Sequence, residues 1–489
     1  MANSPSRSHA SGPKDGWIFA GLLILLIWAP LPIGSNRLWA IGILIAFATV
    51  LLLSTLWVWR LQASAALTVL RQYRWPLGLI AGMVLLSWFQ VTPLPVGLIE
   101  ILSPNTIEFQ RPAVAQTISM DVFQTQSMAS LAYAYFAVFL VAVLTVRDTH
   151  RLDKLAQLLV WSGVLQAVLG AILFSFKAEY RIFYVNVSHM RAIGTFVNQN
   201  SLAGYLCMCL SVGIGLMLAR LGKGDDQELK HWKTRVVNAI AFTLSPKMRL
   251  RLLLIVMVIA LVLTRSRMGN TAFFASMVIV GLIAVIVARK TAPQTIALIV
   301  SLIVIDVLVV GTWVGLEKVV ERIQETELSD SDGGKSESVE ARTMAARTSI
   351  PIIKDFPLFG TGGGSFYNIF LSYRTPSYGY TFVDHTHNDY VEIATDYGLV
   401  GLGLLAALVA ATLATVIRVL ARRKSRLPWG IAFGVAMSMV ALLFHSTVDF
   451  NLQIPSNALT MVVILAMGWI ASVVPAPRPS EKKSRSHAS

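Results

Sequence analysis

The chain has 489 residues, of which 55% are hydrophobic and only 14% charged, with a mean hydropathy of +0.64 and a formal net charge of +15. A soluble domain carries about a quarter charged residues, so this composition excludes a string of soluble globular domains. In so apolar a chain the positive charge bears on membrane orientation, not on nucleic acid.

Apolar runs approach the roughly 20 residues that cross a bilayer as helix. They recur at 17–34, 38–59, 76–92, 128–146, 155–175, 201–219, 252–264, 269–288, 294–315, 398–417, 428–446 and 457–474. The fold expected is all-α, a polytopic transmembrane helical bundle of about twelve spans. The first run continues into the multi-span chain with no small-residue cleavage site, so it reads as a span and not as a signal peptide. Run 252–264 is short, and its helix is expected to start earlier, at Met248. Cys207 and Cys209 lie inside the run 201–219, where lipid-facing or packed positions are expected and neither a disulfide nor a metal role is indicated.

The layout expected is an N-terminal tail 1–16, spans one to nine within 17–315, a long loop 316–397 carrying short helices, spans ten to twelve within 398–474, and a basic tail 475–489. With the N-terminus cytoplasmic, the cytoplasmic segments hold 27 of the 41 Lys and Arg. Seven of the others lie in the long loop, and long loops escape the positive-inside bias, which leaves 27 against 7. Both termini are therefore expected to be cytoplasmic, with 316–397 on the outer face.

Arg191 opens Arg191-Ala-Ile-Gly-Thr-Phe-Val-Asn-Gln-Asn200 just before a span, and Arg265 and Arg267 stand in the tight turn Thr264-Arg-Ser-Arg-Met-Gly269. Guanidinium groups held at a membrane surface suit forked binding of phosphate. The long loop ends in Val383-Asp-His-Thr-His-Asn-Asp-Tyr-Val-Glu392, offering His385 and His387. The spacing His-x-His alone is a weak metal signal, although Asp384, Asp389 and Glu392 stand near it. A neutral imidazole suits general-base work better. The Gly-rich stretch Pro357–Phe366 lacks a P-loop lysine and reads as a turn, and Asp330-Ser-Asp332 in the acidic, Ser-rich stretch Ser329–Ser338 reads as solvated. No metal or other cofactor is expected. Asp306 is the clear ionisable residue within a span and is expected to pair with a polar neighbour on another helix.

These motifs together resemble the O-antigen ligase and O-antigen polymerase superfamily of polytopic bacterial glycosyltransferases. The resemblance covers roughly 185–455 and rests on four signatures in the family's order. They are Arg191 with Gly194-Thr-Phe and Asn198-x-Asn200; Ser266-Arg267-x-Gly269; Arg342 with Asp355-Phe-Pro-Leu-Phe-Gly-x-Gly362; and His387-Asn388-Asp389-Tyr390 through Gly401. His445-x-x-x-Asp449-Phe is also similar to the family. The chain departs in carrying Arg265 besides Arg267, since the family's arginine follows the serine.

The resemblance implies transfer of a glycan from a polyprenyl-diphosphate carrier to a hydroxyl acceptor at the periplasmic face of the bacterial inner membrane. It implies inversion at the anomeric carbon, without a metal. Arg191 and Arg267 are expected to clamp the diphosphate and His387 to act as base. Arg265, Arg342, Asn388, Asn198 and Asn200 are expected to bind substrate, and His385 to be dispensable. The partners implied are the lipid-linked donor, lipid A–core or a growing glycan as acceptor, and membrane lipid, with no nucleic acid. The preferred reading is ligase-type transfer of O-antigen to lipid A–core. The alternatives are a polymerase of O-antigen or exopolysaccharide repeat units and, in another class, a lipid-linked glycan flippase.

Overall fold

A computed structural model describes residues 14–110, 116–175, 181–182, 185–186, 191–220, 246–287, 339–375, 378 and 383–475. The expected span 294–315 with Asp306, the pair Asp330 and Asp332, and both tails from 1–13 and 476–489 lie outside the described residues.

The fold is an all-helical bundle, as expected. The helices are α1 (Gly16–Trp28), α2 (Leu38–Trp59), α3 (Ala63–Gln72), α4 (Arg74–Val91), α5 (Val96–Leu102), α6 (Pro104–Phe109), α7 (Val122–Thr145) and α8 (Thr149–Ser175). They continue with α9 (Gln199–Arg220), α10 (Pro246–Leu263), α11 (Arg267–Val287), α12 (Val339–Asp355), α13 (Phe366–Tyr373), α14 (Asp389–Arg422), α15 (Arg426–His445) and α16 (Pro455–Val473). Among the described residues the sole β pairing is a two-residue ladder, Arg181–Ile182 with Val185–Asn186.

Nine helices among the described residues are long and apolar enough to cross a membrane, with α2 and α3 counted as one run. Two further expected spans are occupied by helices outside that set. The apolar helix α1 ends at Trp28, short of the expected boundary, because a 3₁₀ turn with Gly34 at φ 63° follows. Helix α10 starts at Pro246, ahead of the expected Met248, and brings Lys247, Arg249 and Arg251 into its first turns.

Helix α9 is the centre of the bundle, with 94% of its most apolar window buried. It lies against α15 backbone to backbone: a Cβ on Gly215 would stand 2.2 Å from Gly430 O, and one on Gly434 would stand 2.8 Å from Ser211 O. In lipid no hydrophobic force draws helices together, so small residues that permit such approach supply the packing. Cys207 and Cys209 are buried and unbridged in α9, packed and not lipid-facing.

The feature that places the site is a break in α14 at Gly398, where φ is 63° and ψ −169°. The expected span began here; the helix starts nine residues earlier, at Asp389. The backbone groups freed by the break are taken up by the Gly-rich stretch. Leu399 N donates to Pro357 O (2.8 Å), Thr361 N to Thr395 O (2.9 Å) and Gly362 N to Asp396 O (3.0 Å). Gly364 N donates to the buried Asp396 carboxylate at 2.7 Å, while the Gln90 amide donates to Phe359 O and Asp396 O and its carbonyl accepts from Gly363 N. The stretch is thus a turn, but one clasped to α4 and α14, and its amides at Thr361, Gly362, Gly363 and Gly364 are spent on that clasp.

Candidate functional site

The helix ends opposite the chain's described termini enclose a cavity of about 470 Å³, within the range of ligand-binding clefts. Arg191, Arg265, Arg267 and Arg342 line it together with His387, Asn388 and Asn200. Residues from five segments of the chain meet there, and among the described residues the lining contains four arginines and no carboxylate.

Each segment is anchored by its own motif. Ala192 N donates to Leu263 O at 3.1 Å, which seats Arg191 beside the turn that follows α10. Gly194, at φ 55°, approaches Gln166 so closely that a Cβ would lie 2.8 Å from its Oε1. Thr195 bonds the same oxygen through both N and Oγ, so the Gly-Thr pair is an anchor, not a ligand group. Asn198 is the expected site residue that the structure keeps out of the cavity lining: its Oδ1 accepts from Ser201 N and Oγ at 2.9 and 3.1 Å at the start of α9. That is N-capping work.

In the second motif the Ser266 hydroxyl accepts from Gly269 N at 3.2 Å, and a Cβ on Gly269 would stand 2.6 Å from Ala203 Cβ. Serine and glycine therefore fix the start of α11 against α9. Arg267 is the first residue of that helix, and its guanidinium shares a cavity with a helix N-terminus, a setting that favours an anion. Arg265 lines the same cavity from a left-handed backbone position, φ 53°. Arg342 on α12 donates to Val448 O at 3.3 Å and lies 3.9 Å from Asp449 Oδ2.

His387 also sits at left-handed φ, 54°, between Thr386 and the helix cap Asn388, whose Oδ1 accepts from Tyr390 N and Val391 N. Its Nδ1 is buried with no hydrogen-bond partner among the described residues. Burial first, and the Arg342 charge second, hold its pKa below the ordinary 6.5. His385 differs. Burial opposes its charge, but Glu392, with Asp384 and Asp389, outweighs burial and raises the pKa to about 9. The two histidines of His-x-His thus have opposite character, one neutral and one cationic near neutral pH.

The sequence did not assign the turn between α15 and α16, where Thr447 and Val448 line the cavity and Asp449 stands 3.7 Å from His445 Nε2. The trailing His445-x-x-x-Asp449 pattern was the available signal. By its place beside the His-x-His pair Glu392 reads as a potential metal ligand; its carboxylate is instead engaged by His385 and Thr386. Among the described residues no group of three or more His, Cys, Asp or Glu is arranged to hold a metal ion.

Residues 252–406 match the family model described as O-antigen ligase. That third of the chain contains Arg265, Arg267, Arg342 and His387, and the match supports the O-antigen ligase and polymerase superfamily to which the motifs point. The match and the apolar helices support a multi-pass membrane enzyme of ligase or polymerase type, a family whose substrates in general terms are a lipid-linked glycan and an acceptor. No curated protein matches it. Arg191 and the α15–α16 turn lie outside the matched residues, and the fold brings them to the same cavity.

Proposed function

We propose that this protein moves a glycan from a polyprenyl-diphosphate carrier onto a hydroxyl of lipid A–core, at the periplasmic face of the bacterial inner membrane. The observation that carries the reading is the joining of four arginines and an imidazole of lowered pKa around one cavity. A diphosphate leaving group gains negative charge as the glycosidic bond breaks. Arg191 and Arg267 meet that charge with fixed guanidinium groups, which stabilise it most where water is excluded. His387 takes the proton of the acceptor hydroxyl as its oxygen attacks the anomeric carbon. The bond to the diphosphate breaks on the opposite side, so the anomeric centre inverts. The arginines supply the charge that a divalent ion would otherwise supply.

Purified variants test the assignment, with donor binding measured beside transfer in chelator-treated buffer. His387→Ala is expected to lose about 10² to 10⁴ in rate with donor binding retained. Arg191→Ala and Arg267→Ala are expected to lose both, and lysine to rescue poorly because an ammonium makes no forked contact. Near wild-type transfer in His387→Ala overturns the base, and activity restored only by added metal overturns metal independence. Single repeat units accumulating in a deletion strain would assign polymerisation in place of ligation.

A further inference from the structure

His387 is the residue to which the proposed proton transfer is assigned, yet its own backbone conformation is one that a residue with a Cβ disfavours. Such a conformation persists where its surroundings over-determine it. The surroundings converge on one carboxylate. We propose that Glu392 positions His387 for proton transfer by gripping the chain before it and bracing the ring behind it; this rests on the reading of His387 as base.

Glu392 lies in the first turn of α14, is 2% exposed and does not line the cavity, so it is not placed to touch substrate. Its Oε1 is 2.6 Å from His385 Nδ1, and its Oε2 accepts from Thr386 N at 2.9 Å. The buried Thr386 hydroxyl accepts from Asn388 N at 3.1 Å and lies 2.7 Å from Asn388 O. The residues on both sides of His387 are therefore tied, through one threonine, to one carboxylate. Asn388 is fixed further by its amide donating to Thr447 O at 2.9 Å.

The second arm runs through rings. His385 stacks on Phe450 with centroids 4.2 Å apart and planes at 19°. His387 meets the same ring edge-on at 5.0 Å and 68°. Phe450 is buried and contacts both histidines. A cationic His385 on the ring face strengthens that stack, and the carboxylate of Glu392 is what keeps His385 cationic. One buried acid thus sets the backbone bulge that presents His387 and supports the ring on which it leans.

The test is steady-state transfer by the purified full-length protein, with a polyprenyl-diphosphate-linked glycan as donor. Glu392→Gln keeps shape and removes charge. Misplacing a reacting group by about 1 Å costs about 10²-fold, so kcat is expected to fall by about that factor with donor KM nearly unchanged. In the His387→Ala background the same substitution is expected to cost nothing further, because residues acting as one unit are not additive. Should Glu392→Gln fail to fold, Thr386→Ala is expected to lose kcat and Thr386→Ser to recover it. Wild-type kcat in Glu392→Gln overturns the proposal, as does a raised KM at unchanged kcat, or a double variant well below His387→Ala alone. Wild-type transfer by His387→Ala on its own overturns instead the reading of His387, and it is seen without any Glu392 variant.

Discussion

At the scale of single residues, the two histidines of the His-x-His pair separate by environment, and pH reads the separation. A base works neutral, so transfer is retained above the His387 pKa and lost as pH falls through it. That pKa is lowered from 6.5, so the acid limb of kcat/KM is expected below 6.5. The groups facing His387 are Arg342 from α12, Asp449 from the α15–α16 turn, and Asp384 and His385 of its own loop. For His385 the sign is reversed: its ion pair with Glu392 holds below the raised pKa and is lost as pH rises through about 9, where an alkaline limb is expected. His385→Ala should abolish that limb. An acid limb above 6.5, or an alkaline limb that survives His385→Ala, contradicts the assignment. His385 stands outside the family signature that begins at His387, and its stack on Phe450 and its bond to Glu392 are tertiary contacts that no spacing reveals.

At the scale of elements, the broken helix α14 and the Gly-rich clasp form one unit. Gly398 is at φ 63°, and a Cβ there would stand 2.3 Å from Leu358 O, whereas a Cβ on Gly403, farther along the same helix, meets nothing within 4 Å. Gly398→Ala is therefore expected to destabilise the protein by about 1–3 kcal/mol from backbone strain alone, and Gly403→Ala to be neutral. Thermal unfolding in detergent compares them, and equal melting points would remove the break from the argument. The helices themselves were legible because a run of apolar residues long enough to span is a one-dimensional signal. The start of α14 was not, since Asp389, Glu392 and Asp396 make its first turns look like loop until their burial is seen. Arg191, Arg265, Arg267, Arg342 and His387 were legible as motif members. Asn198 was not separable from Asn200, because a cap and a cavity residue two positions apart carry the same side chain.

At the scale of the whole molecule, the charge bias and the cavity bear on the same question from two sides. The positive-inside count assigns seven short-loop cations to the face expected to be outer, and three of them, Arg191, Arg265 and Arg267, line the cavity. At the far end, buried Asp15 pairs with Arg147 at 2.9 Å and Arg151 at 2.8 Å, joining the start of α1 to the α7–α8 turn. Arg423, between α14 and α15, donates to Val474 O at 2.9 Å, at the end of α16. The two described ends of the chain thus share the face away from the cavity, which accords with cytoplasmic termini and a periplasmic site. Single cysteines test this cleanly, because native Cys207 and Cys209 are buried. Ser372, at the end of α13 near the clasp, and Lys424, in the α14–α15 turn, are both exposed. A membrane-impermeant maleimide applied to cells with a permeabilised outer membrane is expected to label Ser372→Cys. It is expected to reach Lys424→Cys only after the inner membrane is opened. The opposite pattern would place the arginine cavity in the cytoplasm, where a periplasmic acceptor could not meet it, and would overturn both the orientation and the acceptor proposed.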